Sequence, residues 1–291
     1  MNDDLAALVA ASLDRPVAAP VRAFADLLAR ESGAVAVLFY GSNLRTGALD
    51  GVLDFYVLTD GPRERGLWPR VGYREWNGLR AKIATMTLAT FERACADRTI
   101  DTTIWTRFVQ PAALAWSTQA GRSRVETAIA AAAVTAGRYA AALGPGAGEA
   151  ADYWRALFRA TYAAELRVEA KGREEQILSV HGDHLTALLP AAWDAGRIPC
   201  QTRGQARYEI LLTPEDRVRI LARWKRRQRM GRPLNIVRLV RAAFTFDGAA
   251  RYAAWKIERH TGVAVPITPF RERHPVLAAP GVLWQVWRAR A

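Results

Sequence analysis

The pair Gly41-Ser42 closes the apolar run AVAVLFY, and after 11 intervening residues Asp54 interrupts a second apolar run, VLDFYVL. A carboxylate set among Val52, Leu53, Phe55 and Val57 loses hydration and needs a compensating partner. The types and spacing suit phosphate chemistry. Glycine lets the backbone approach a triphosphate, Ser42 and neighbouring N–H groups donate to phosphate oxygens, and Asp54 ligates the Mg²⁺ that neutralises charge during in-line displacement. The plain alternative is an ordinary turn followed by a locally paired aspartate.

A second carboxylate two residues on would share the strand face, but that position holds Tyr56. Asp60 lies about 20 Å from Asp54 along an extended chain at about 3.3 Å per residue, so it reaches the same metal only if the chain bends at Thr59. In TIDTTIWTR, read as a strand, period two puts Asp101, Thr103, Trp105 and Arg107 on one face. Asp101 is therefore the first choice for a second metal ligand and Asp60 the other. Arg107 either meets phosphate or pairs with Asp101, and Lys82, opening another strand, offers a point charge to a triphosphate.

The elements that must position these residues follow from pattern and punctuation. Residues 3–31 read as two short helices broken at Pro16–Pro20. AVAVLFYG, GVLDFYVLTDGP, RAKIATMTLAT and RTIDTTIWTR read as strands, with a helical TFERACA before the last. Long helices follow from Ser117, the first ended by GPGAG and the next opened by Asp152 as N-cap. The chain thus divides into an α/β part over 1–116, a helical part over 117–232 and a basic amphipathic region over 233–291.

With 291 residues, the chain can bury a substantial core. A formal net charge of +13 favours an anionic partner such as nucleotide, phospholipid or nucleic acid. Cys95 and Cys200 have no disulfide or zinc spacing, and no stretch reaches the roughly 18 to 20 apolar residues of a membrane span. These features suggest a cytoplasmic, soluble or peripheral protein. His181 and His184 are three apart without a third ligand nearby, and they and His260 and His274 are assigned surface or packing roles. The basic run RWKRRQRMGRP (223–233) suits RNA, anionic lipid or a solvated helix. Trp255, Trp284 and Trp287 beside several arginines suit either a headgroup-level anchor or an internal docking helix.

YGSN…VLDFYVLTDGP resembles the soluble, mitochondrial-type CTP:phosphatidate cytidylyltransferases, whose pattern reads Y-G-S-G, spacer, V-D-F, then D-D-P. NGLRAK (77–82) is similar to that family's N-G-R-x-x-K, TRFVQPA (106–112) to its G-R-L-x-K-P-V, and TYAAELRVE (161–169) to its S-Y-x-x-D-x-R-M, in the same order. Asn43 replaces a glycine, Thr59 replaces the first Asp of D-D-P, and a W-H-x-x-N-L segment is missing.

The resemblance implies a nucleotidyltransferase-like mixed sheet domain, then a mostly helical domain and a basic tail. It implies nucleotide binding by Gly41, Ser42 and Asn43, metal at Asp54, and substrate contacts by Lys82, Arg107, Tyr162, Glu165 and Arg167. It also implies a Mg²⁺-dependent transfer of CMP from CTP to phosphatidic acid or a similar lipid phosphate at the surface of an anionic inner membrane. The alternatives are a nucleotidyltransferase acting on RNA or another acceptor, and an inactive member of the fold that binds nucleotide or lipid.

Overall fold

Two helices lead into the first strand. α1 (Asp3–Leu13) is capped by the Asn2 side chain, which accepts the Leu5 N–H at 3.0 Å. α2 (Ala19–Ser32) starts with Pro20 in its first turn and stops at Gly33, whose φ of 61° is the left-handed conformation glycine adopts without strain. The computed structural model describes residues 2–66, 69–164, 172–204, 206–245, 254, 258, 263–273 and 275–288. They fall in two compact units, 1–232 and 233–291.

The first unit holds a five-stranded mixed sheet in the order β3-β4-β2-β1-β5. β1 (Ala34–Tyr40) pairs antiparallel with β2 (Val52–Thr59) and with β5 (Ala112–Ser117). β2 runs parallel to β4 (Leu79–Thr87), and β3 (Arg70–Trp76) returns as the outer strand. The Asn-Gly of NGLRAK makes the tight β3–β4 hairpin: Asn77 and Gly78 both have positive φ, 47° and 75°, between the paired Trp76 and Leu79. Two such residues give the turn whose twist matches the flanking strands.

Strand periodicity sorts the core into two layers. Val37, Phe39, Leu53, Phe55 and Val57 point to one face, where Val21, Phe24 and Leu28 of α2 cover them. Leu38, Tyr40, Tyr56, Leu58, Ala84 and Met86 point to the other, against α1, α4 (Leu88–Cys95), α5 (Thr103–Phe108) and the long α6 (Gln119–Leu143). The alanine-rich α6 approaches the sheet closely, since a Cβ at Gly121 would lie 2.1 Å from the Val35 carbonyl oxygen. α7 (Ala150–Ala164) and α8 (Arg173–Ala195) continue the same core through Tyr153, Trp154, Phe158 and Trp193, each fully buried. Burying side chains of this size stabilises by about 1.5–3 kcal/mol each.

Four local expectations change. RTIDTTIWTR is not a strand: residues 99–102 bend and α5 follows, because helical spacing buries Ile104, Trp105 and Phe108 together. β3 and β5 are strands that the pattern concealed. The part over 117–232 is not wholly helical; β6 (Ala147–Glu149), β8 (Arg207–Ile210) and β7 (Cys200–Arg203) form a small antiparallel sheet. Asp152 lies inside the first turn of α7 and accepts the Glu149 N–H at 3.0 Å.

The basic run lies on α9 (Pro214–Thr245). Ile220, Trp224 and Arg227 are buried, while Arg223, Lys225, Arg226 and Arg229 face outward. Arg227 bridges to Asp97 at 2.6 Å, donates to the carbonyls of Asp97 and Thr99, and lies 5.5 Å from the Tyr139 ring centre. The Tyr139 hydroxyl donates to the same carboxylate at 2.9 Å. In the second unit, Ala254, Val265 and Val282 make a small core beside α10 (Pro269–Arg273) and α11 (Pro275–Arg288). Among the described residues no helix is long and apolar enough to cross a membrane.

Candidate active site

One row of residues crosses the sheet where β1 ends and β2 begins. Tyr73 of β3 registers with Lys82 of β4, Lys82 with Asp54 of β2, and Asp54 with Tyr40 of β1. Directly paired residues share a face, so these four side chains leave the sheet on the side of Tyr56 and the helical layer. The alternation that buries Leu53 and Phe55 beneath α2 therefore turns Asp54 the other way.

The backbone after β1 is shaped for close approach. Gly41 has φ 91° and ψ −163°, a region reserved for glycine, and its missing Cβ leaves room for Asp54, whose Oδ2 would lie 3.2 Å from that atom. Ser42 then opens the short helix α3 (Ser42–Thr46) and is exposed. Asn43 has a different task from the one its position suggested. Its amide donates to the carbonyls of Ala48 at 3.0 Å and Asp50 at 2.9 Å, bracing the loop that returns to β2.

Arg107 arrives from α5. Phe108 wedges between Tyr56, 5.1 Å away edge-on, and Tyr40 at 6.0 Å. That anchor sets the preceding guanidinium 5.0 Å from the Tyr40 ring centre and 6.0 Å from that of Tyr56, the stacking geometry arginine favours. The Tyr40 hydroxyl donates to Asp54 Oδ1 at 3.5 Å.

The electrostatics of this row are coupled. Burial raises the Asp54 carboxyl above its ordinary value, and Lys82, Arg107 and the Tyr40 hydroxyl pull it back. Burial likewise pushes the Tyr40 phenol up to about 12, with Arg107 acting downward and Asp54 upward. Asp54 is thus a desolvated carboxylate whose charge Lys82 and Arg107 offset, and among the described residues no group of three or more His, Cys, Asp or Glu side chains is placed to hold a metal ion. Mg²⁺ is commonly held by one or two carboxylates together with substrate phosphates, so Asp54 fits that role with a triphosphate supplying the other oxygens.

The structure thus brings Gly41, Asp54, Lys82 and Arg107 together and adds Tyr40. Asp101 does not lie on a strand. It precedes α5, is buried, and accepts from the Thr103 N–H at 3.1 Å and hydroxyl at 2.9 Å; the shared strand face that made it a second metal ligand does not exist. Asp60 lies beyond the opposite end of β2, its side chain 79% exposed and 4.0 Å from Arg124. The chain stays extended through Thr59, so the bend needed to reach Asp54 is absent. Tyr162 is half-buried on α7 against the large core, and Glu165 and Arg167 lie outside the described residues. Tyr40 escaped the sequence reading although its signal was available, as the last residue before the glycine.

Compared with known proteins, the sequence matches no family model and shows no significant similarity to a curated protein.

Proposed function

We propose that the chain is a metal-dependent nucleotidyltransferase of the cytidylyltransferase type, taking CMP from CTP to phosphatidic acid or a similar lipid phosphate. The observation that carries this reading is the meeting of Gly41, Asp54, Lys82 and Arg107, from four separate segments, at one end of the mixed sheet. The ordered resemblance of four motifs to the CTP:phosphatidate cytidylyltransferases supplies the nucleotide and the lipid acceptor. The mixed sheet with Gly41-Ser42 at the end of β1 and Asp54 on the adjoining central strand β2 is in keeping with a nucleotidyltransferase fold.

In this reading an oxygen of the acceptor phosphate attacks the α-phosphorus of CTP. A new phosphoanhydride bond forms, the bond between the α- and β-phosphates breaks, and pyrophosphate leaves with its electron pair. Mg²⁺ held by Asp54 would neutralise negative charge on the triphosphate. Gly41 admits the phosphates to the backbone, Lys82 contributes a compact charge, and Arg107, fixed by its two tyrosines, offers a planar fork to phosphate oxygens. Tyr40 orients the Asp54 carboxylate.

An anionic membrane would present the acceptor. α11 exposes Leu277, Pro280, Gly281, Trp284 and Arg288 along one stripe, with Leu277 70% and Trp284 58% exposed and Arg288 5.3 Å from the Trp284 ring. Such a stripe suits the headgroup boundary.

The test is incubation of the full chain with Mg²⁺, labelled CTP and either phosphatidic acid in mixed micelles or RNA. CDP-diacylglycerol with matching pyrophosphate is expected. Label incorporated into RNA would reassign the acceptor, and no pyrophosphate with either acceptor would overturn the enzymatic reading.

A further inference from the structure

Arg107 reaches the candidate site from α5, and the contacts that orient α5 lie on its other side. Successive helical residues are rotated by about 100°, so Trp105 and Arg107 leave this short helix in nearly opposite directions. Trp105 is fully buried and stacks on the Tyr139 ring of α6, with centroids 5.6 Å apart and planes 21° from parallel. Its indole N–H meets no acceptor among the described residues, so packing sets its position. The Tyr139 ring lies 5.3 Å from that of Trp224 on α9, and its hydroxyl donates to the Asp97 carboxylate at 2.9 Å.

The chain that enters α5 is held at the same place. Asp97, just past α4, has φ 61°, a left-handed conformation that a residue other than glycine keeps only where its surroundings over-determine it. Arg227 supplies that constraint. Besides its 2.6 Å bridge to the Asp97 carboxylate, its guanidinium donates to the Asp97 carbonyl at 3.1 Å and to the Thr99 carbonyl at 3.0 Å. Two residues on, buried Asp101 accepts the Thr103 N–H that opens α5, at 3.1 Å. The Val109 and Gln110 N–H groups donate to the Trp105 and Arg107 carbonyls at 3.1 and 3.2 Å and close its last turn. A rotation of α5 that slackens the Trp105–Tyr139 stack therefore also swings Arg107 away from the Tyr40 ring, whose centre is 5.0 Å from the guanidinium.

We propose that Arg227, Asp97 and Tyr139 are positioning residues for Arg107. From α9, the turn after α4 and α6, they fix the rotation of α5 and so hold the Arg107 guanidinium against Tyr40 and Tyr56. The consequence for CMP transfer rests on the function proposed above; the mechanical link does not.

The test reads the Arg107 Nε–H resonance of the full chain by NMR, assigned as the signal lost in Arg107→Lys. In the parent the ring currents of Tyr40 and Tyr56 displace it. Tyr139→Phe keeps the ring beside Trp105 and removes the hydroxyl, whereas Arg227→Lys keeps the charge and removes the planar fork. Both should move the signal toward its unfolded-chain position and lower CMP transfer by about tenfold or more, within the loss that a misplacement of about 1 Å brings. Tyr153→Phe is the control. It deletes the hydrogen bond of another buried tyrosine, to the Tyr208 carbonyl at 2.8 Å, and should leave the Arg107 signal and transfer unchanged even where it lowers the melting temperature. Where Arg227→Lys does not fold, Tyr139→Phe decides. A signal unmoved in the folded variants, or moved as far in Tyr153→Phe, would overturn the positioning role. A signal that moves in variants of a parent forming no CDP-lipid would sink the transfer reading alone, while an active parent whose variants leave the signal unmoved would sink the positioning role alone.

Discussion

In the proposed transfer, Asp54 is the residue on which chemistry and stability pull in opposite directions. Burial raises its folded value above that of the unfolded chain, so the unfolded state gives up the proton first as pH rises. The ionised carboxylate then weighs against folding, and its penalty is fully present above the folded value. Asp54→Asn removes the penalty while keeping the shape. It should melt higher than the parent at pH 7 by differential scanning calorimetry, with the advantage disappearing in acid, and should lower CMP transfer by about 10³-fold or more. A variant that melts lower at pH 7, or retains turnover, contradicts the assigned role. Much of this site was legible residue by residue. Gly41, Asp54, Lys82 and Arg107 stand out because a glycine, a buried acid and two cations, one on a strand and one on α5, break an apolar pattern. Tyr40 does not break it, since an aromatic at a strand end fits a core equally well.

At the level of elements, legibility followed how far local preference agreed with tertiary packing. α1, α2, β1, β2 and β4 were readable because Pro and Gly punctuate clean periodicities. α5 was misread because Thr102, Thr103 and Ile104 favour strands locally, whereas the fold rewards the helical spacing that buries Trp105 and Phe108. β3 was hidden by Arg70, Arg74 and Glu75, the charges an edge strand carries to discourage further pairing. The basic run illustrates the same tension. Its composition suggests a solvated face, yet Trp224 and Arg227 turn inward, and Arg227 with Asp97 forms a pair whose side chains are only 8% and 4% exposed. Removing one member leaves a buried charge. Arg227→Ala should cost about 3–5 kcal/mol in urea unfolding, whereas Arg226→Ala, one residue away and exposed, should cost less than about 0.5 kcal/mol. Similar losses for both would show that α9 is not anchored through this pair.

Across the whole molecule, the charge of +13 and the exposed arginines of α9 set how the protein meets surfaces. Vesicles containing an anionic phospholipid should co-sediment the full chain at low salt. Binding should fall steeply as the Debye length shrinks from about 10 Å at 0.1 M to about 3 Å at 1 M, while neutral vesicles should retain little at any salt. Salt-independent retention would point to apolar insertion instead of charge. The row from Tyr73 to Tyr40 carries a different consequence. Its members sit on four strands, and the parallel β2–β4 pair joins segments that the whole of β3 separates in sequence. No fragment lacking one of these strands displays all four side by side, so CMP transfer, if the proposed function holds, doubles as a clock for the completion of folding: refolding chains should regain it last, after their helices have already formed.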